Sequence, residues 1–180
     1  MTIDAGTGDG RAVLAAAARE PATLVLGVDA NAASMIDASR RAARPARRGG
    51  LSNAGFVVAT AESPPAELRG VAHLVTVRLP WGSLLRGVAG RDPAVAGGLA
   101  GLVSADGALE LLLAPEERDR LDGLPTTPEG LVAGATAAFA PLGFVVERVS
   151  RPTVPEVRAT GSTWARRLNR RPTLIQLVRR

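Results

Sequence analysis

Thr2-Ile3-Asp4-Ala5-Gly6-Thr7-Gly8-Asp9-Gly10 opens the chain and decides its fold. A short apolar start ends in a carboxylate, three glycines alternate with polar residues, and the alanine-rich stretch Arg11 to Arg19 follows. That order reads as strand, tight turn and helix N-terminus, because glycine takes φ > 0 readily and lets a ligand lie against bare backbone. The next apolar run, Thr23 to Val28, closes on a second acid, Asp29. A carboxylate at the end of a second strand is where a nucleotide ribose would be gripped through both hydroxyls. The plainer alternative is an ordinary strand-to-helix turn, since glycines punctuate many α/β chains.

Spacing narrows the ligand. A dinucleotide fingerprint is G-x-G-x-x-G, built for a pyrophosphate. Here the pattern is D-x-G-x-G-x-G, with Asp4 two residues before Gly6. An acid at that point repels a pyrophosphate and suits a cationic ligand with an amino-acid tail. The loop resembles that of S-adenosylmethionine (SAM) methyltransferases.

Working outward, apolar runs and helix-forming stretches alternate along the chain. A helix is expected over Asn31 to Ala43 with Asn31 as cap, and strands over Phe56 to Ala59 and Val71 to Leu79. Pro93 to Val103 reads as a helix, Ala108 to Leu113 as a strand, and a polar, acidic connection runs to Pro128. Leu131 to Ala140 reads as a helix, Phe144 to Val149 and Leu174 to Val178 as the last strands. The result is an α/β fold, a seven-stranded, mostly parallel sheet with helices on both faces. The final strand is free to run antiparallel. Asp4, Asp29, Glu62 and Trp81 each fall just after a different strand, on the edge where such sheets bind ligands.

The 180 residues suit one domain, 1–180, with a basic insert at 151–173 between the last two strands. No cysteine and a single histidine, His73, exclude disulfides, a thiolate nucleophile and a histidine-rich metal site, so no metal is expected. His73, inside the fourth strand, reads as structural. Neither an export leader nor an apolar run near 18 residues is present, so a cytoplasmic, membrane-free protein is expected, and a monomer. The net charge is +5, and all 22 basic residues are arginine. Arg40, Arg41, Arg44, Arg47 and Arg48 form one cluster; a second set runs from Arg151 to Arg180, where Glu156 is the single acid. Two basic segments on a near-neutral domain are the footprint of a phosphate-backbone partner, with solvated surface charge as the bland alternative.

Trp81 and Trp164 are the only tryptophans, and both sit in polar, glycine-flanked stretches rather than apolar stripes. They read either as core plugs or as stacking plates for a nucleobase. Four strings then occur together in order: Gly49-Gly50-Leu51-Ser52-Asn53, Ala59-Thr60-Ala61-Glu62, Pro80-Trp81-Gly82-Ser83-Leu84-Leu85-Arg86-Gly87 and Ser162-Thr163-Trp164-Ala165-Arg166-Arg167-Leu168. On these the chain resembles the 16S rRNA (adenine(1408)-N(1))-methyltransferase family, the Kam-type aminoglycoside-resistance enzymes, from Ile3 to about Leu168.

The resemblance implies a Rossmann-like class I methyltransferase fold with SAM as cosubstrate and the 16S rRNA of the 30S subunit as substrate. It implies that Asp4, Gly6 and Gly8 hold the methionine end of SAM, Asp29 the ribose, and Ala61 and Glu62 the adenine. Trp81 and Trp164 would sandwich the flipped target adenine, with the Pro80 carbonyl near the base and Thr163 fixing the insert. Arg166, Arg167 and the Arg40 to Arg48 cluster would meet rRNA phosphates. Family members carry further residues ahead of the first strand, so a shortened N-terminus is expected, and the Arg170-Arg171-Pro172 segment departs from the family. Adenine N1 carries an in-plane lone pair, so its methylation needs proximity and alignment rather than a general base. Competing readings are a non-catalytic rRNA-binding homologue and a methyltransferase for another RNA or a small aromatic substrate.

Overall fold

The computed structural model describes residues 1–116, 123–168 and 171–180, with Arg167 described by its backbone alone. The middle of the acidic connection and residues 169–170 of the basic insert lie outside the described residues. Seven strands, β1 (Thr2–Ala5), β2 (Val25–Asp29), β3 (Ala54–Val58), β4 (Ala72–Arg78), β5 (Val103–Leu113), β6 (Phe144–Ser150) and β7 (Thr173–Arg179), form one sheet in the order β3-β2-β1-β4-β5-β7-β6. The first five pair in parallel, and β7 runs antiparallel between β5 and β6. The strand order reverses between β1 and β4, so a crevice opens at their carboxyl ends.

Local chemistry explains the helices. Helix α1 (Arg11–Arg19) is alanine-rich. Asn31 caps α2 (Ala32–Ala42) by accepting from the Ala33 N–H. Helix α3 (Gly82–Val88) follows the β4 end. Asp92 caps α4 (Pro93–Leu102), with Pro93 at its first turn, and Thr127 does the same for α5 (Pro128–Phe139). A short helix, α6 (Val154–Ala159), begins in a reciprocal capping box between Thr153 and Glu156. The Thr153 backbone N–H, then its hydroxyl, hold the Glu156 carboxyl below its usual range. Two of these helices escaped sequence reasoning. Helix α3 contains two glycines, and α6 is only six residues long with a proline at its start.

The sheet is covered on both faces. Leu85, Val95, Leu99, Leu131 and Phe139 from α3, α4 and α5 pack on Ile3, Val75, Val77, Leu109 and Leu111. On the opposite face α1 and α2 supply Val13, Leu14, Ala17 and Ala38. Strand alternation then turns Leu112 away from Leu111, onto Val157 and Ala165 of the basic insert. The insert is thereby docked on the body of the domain through apolar contacts.

One glycine links this packing to the sheet edge. A Cβ on Gly98 of α4 would lie 1.8 Å from the Ala61 carbonyl oxygen, so only glycine lets the helix touch the loop after β3. Gly98→Ala should displace the Ala61–Glu62 loop at an overpacking cost of about 1–3 kcal/mol. A lowered denaturant midpoint with unchanged m-value checks this.

Candidate functional site

Asp4 lies inside β1 rather than after it, because its backbone still pairs in register with Gly27 of β2 and Thr76 of β4. Its side chain is 5% exposed. Such a carboxylate needs partners, and its Oδ1 accepts from Thr76 Oγ1 at 2.8 Å and from the Arg78 guanidinium. Neither partner was visible to sequence reasoning. Both sit more than 70 residues away and meet Asp4 only through the β1–β4 register.

Beyond Asp4 the chain makes its glycine turn, with Gly6 and Gly8 both left-handed at φ +72° and +61°. At Gly6 a Cβ would strike the Leu84 side chain of α3; at Gly8 it would stand in open space. The Gly8 N–H donates to Asp29 Oδ2 at 2.8 Å, and the Asn31 N–H donates to Oδ1 at 2.8 Å. Each Asp29 oxygen thus takes one backbone donor and retains acceptor capacity. The segment after β4 is strained. Leu79 precedes a proline yet holds φ +50°, a conformation that leucine and pre-proline residues both avoid.

A cavity of about 540 Å³ opens at this edge. Gly6, Gly8, Asp29, Ala61, Glu62, Pro80, Trp81 and Trp164 all line it. Trp81 is 66% exposed and Trp164 42%, so neither is a core plug. A smaller polar cavity of about 180 Å³ adjoins it, lined by Asp4, Thr7, Ser162 and Thr163, and shares Gly6, Asp9, Arg78 and Trp164 with the first. Thr163 Oγ1 donates to Asp9 Oδ2 at 2.6 Å, tying the insert to the glycine loop across 154 residues. Asp9 also accepts from the Arg11 N–H.

The five arginines of the first cluster are exposed, and none is in an ion pair among the described residues. The structure does not bring them to the cavity. Helix α2 starts at the cavity with Asn31 and Ser34 and runs back for eleven residues, about 16 Å. Arg44, Arg47 and Arg48 therefore lie toward the opposite edge, where Asn53 bonds the Ala17, Glu20 and Thr23 carbonyls. Arg166 is exposed in the 3₁₀ turn Trp164–Arg167, beside the cavity. His73 lies at the amino end of β4, near the Met1 amino group and outside both cavities.

The family model for 16S rRNA (adenine(1408)-N(1))-methyltransferase, of the NpmA type, matches residues 1–178. The chain belongs to this family. A relative of that name from Streptoalloteichus hindustanus is 36% identical over 177 residues, covering 94% of this chain and 80% of the relative. Among solved structures, a mutant 16S rRNA (adenine(1408)-N(1))-methyltransferase with cosubstrate SAM, from Catenulisporales acidiphilia, aligns with TM-score 0.85 at 33% identity. That match covers 99% of this chain and 84% of the other. The aminoglycoside resistance methyltransferase NpmB1 aligns with TM-score 0.77 at 37% identity, covering 99% and 86%.

For this family member the Asp9–Thr163 bond carries a direct test. Thr163→Val removes a hydrogen bond to a carboxylate, worth about 1.5–3 kcal/mol, and frees the insert from the loop. Tryptic cleavage after Arg166 should accelerate, and Thr163→Ser should return it to the wild-type rate.

Proposed function

We infer that this protein is a SAM-dependent methyltransferase acting on N1 of adenine 1408 of 16S rRNA in the 30S subunit, with aminoglycoside resistance as the consequence. The observation that carries the reading is the shared cavity. Two exposed indoles, one after β4 and one from the basic insert, line the same space as the glycine loop and Asp29.

The residues present fit SAM. The volume lies within the range of small-molecule pockets. Asp29 keeps acceptor capacity for the two ribose hydroxyls, and the bare backbone at Gly6 and Gly8 allows close approach. Asp4, Gly6 and Gly8 would hold the methionine end, and Ala61 and Glu62 the adenine. When bound, the cosubstrate supplies an electrophilic methyl group.

The chain's own residues then position the target base. Trp81 and Trp164 would stack on the two faces of an adenine extruded from its helix, and the strained Leu79-Pro80 turn would set the Pro80 carbonyl against its edge. Adenine N1 presents its lone pair in the ring plane, so no side chain has to remove a proton. As the base gains a methyl it becomes cationic, and two indole faces favour a cation over a neutral ring. A positive charge at that position also repels a polycationic aminoglycoside.

Arginines on both edges of the domain favour a large, folded RNA. Arg166 is exposed in the turn that carries Trp164 and, with Arg167, would meet phosphates near the target base, whereas the Arg40 to Arg48 cluster sits about a helix length away. A small aromatic substrate would never reach the second set.

Labelled methyl transfer to purified 30S subunits tests the reading. Trp81→Ala and Trp164→Ala should each slow transfer by about 5- to 150-fold, from a stacking contribution of about 1–3 kcal/mol per base. SAM affinity should stay within about threefold, because the lost contact is to the base. Unchanged transfer in both variants would contradict the stacking role.

A further inference from the structure

Three acids, Asp9, Asp29 and Glu62, line the larger cavity, and Asp4 and Asp9 line the smaller. Among the described residues, Arg78 is the one cation lining either, and it lines both. Its guanidinium is mostly buried, with the side chain 19% exposed, and among the described residues makes one hydrogen bond, from Nη1 to Asp4 Oδ1. A guanidinium carries five N–H donors in a fixed fork, so one acid leaves most of them available.

The methionyl tail of SAM is a zwitterion. Its ammonium suits the acids around it, whereas its carboxylate would meet Asp4 and Asp9 unless a cation intervened. We propose that Arg78, braced by Asp4, is the carboxylate anchor of the cosubstrate, holding the α-carboxylate of the methionyl tail between the glycine loop and the insert. This rests on the SAM reading given above.

The arrangement assigns Asp4 a second duty. Its carboxylate fixes one arm of the guanidinium of a residue that lines both cavities, so the side chain has little freedom to lose on binding. Asp4 and Arg78 act as one unit, and the charge they present to the tail is that of the pair. SAM and the demethylated product, S-adenosylhomocysteine, both carry the carboxylate. Both would be retained by Arg78, whereas decarboxylated SAM would not.

Calorimetry on the full chain, without RNA, tests this with SAM, S-adenosylhomocysteine and decarboxylated SAM as probes. Wild type should bind SAM at least about tenfold more tightly than decarboxylated SAM, as a charge-assisted pair is lost. Arg78→Gln should weaken SAM and S-adenosylhomocysteine on the order of 10- to 100-fold and change the decarboxylated probe by less than about threefold. Arg78→Lys, which keeps the charge but not the fork, should fall between. If Arg78→Gln unfolds because Asp4 is left unpaired, the double variant Asp4→Asn, Arg78→Gln removes that charge and should show the same loss of discrimination. Equal weakening of all three probes, or no preference for SAM in wild type, would overturn the anchor and leave Arg78 as a brace for Asp4. Failure of wild type to bind SAM or S-adenosylhomocysteine at all would overturn the SAM reading itself.

Discussion

The site depends on a buried carboxylate at the carboxyl end of the central strand. Asp4 sits between β2 and β4 at the point where the strand order reverses, and it is satisfied across the β1–β4 boundary by Thr76 and Arg78. An unpaired carboxylate there would cost several kcal/mol, so the register that delivers its partners is also what fixes the strand end. From that anchor the chain makes its left-handed glycine turn, against Leu84 on one side and under Asp29 on the other. Two strands, a loop and α3 thus converge because one acid had to be paired.

The basic insert is the second dependent part. It hangs between β6 and β7 and is held by apolar contacts at Val157 and Ala165 and by the Thr163 hydroxyl on Asp9. Asp9 belongs to the same turn that Asp4 begins. Anything that orders the glycine loop therefore also orders Trp164, and a cosubstrate resting on that loop would prepare the plate on which the base stacks. The coupling needs no long relay, since one hydrogen bond spans it.

Much of this was legible in the sequence. The apolar runs marked the strands, the acids at their ends marked the edge where both cavities open, and four short strings marked the family. The sequence leaves the last strand free to run antiparallel, and the structure places it between β5 and β6. What stayed hidden depends on register or distance. Arg78 reads as a strand residue like any other until β4 is laid beside β1. The Asp9–Thr163 bond joins residues 154 positions apart. The Arg40 to Arg48 cluster was plain as charge, but its place toward the far edge follows only from the direction of α2. Helix α3 was masked by its glycines, although Gly82 at its start is left-handed and needs to be glycine.

One cavity would bring a SAM methyl group and a stacked adenine together on a folded RNA. Reverse transcription of 16S rRNA from 30S subunits treated with the protein and SAM reads this most directly, because a methyl on N1 blocks base pairing and stops the polymerase. A single strong stop at adenine 1408, dependent on SAM, is the expected result. Methyl incorporation without that stop, or a stop elsewhere, would contradict it.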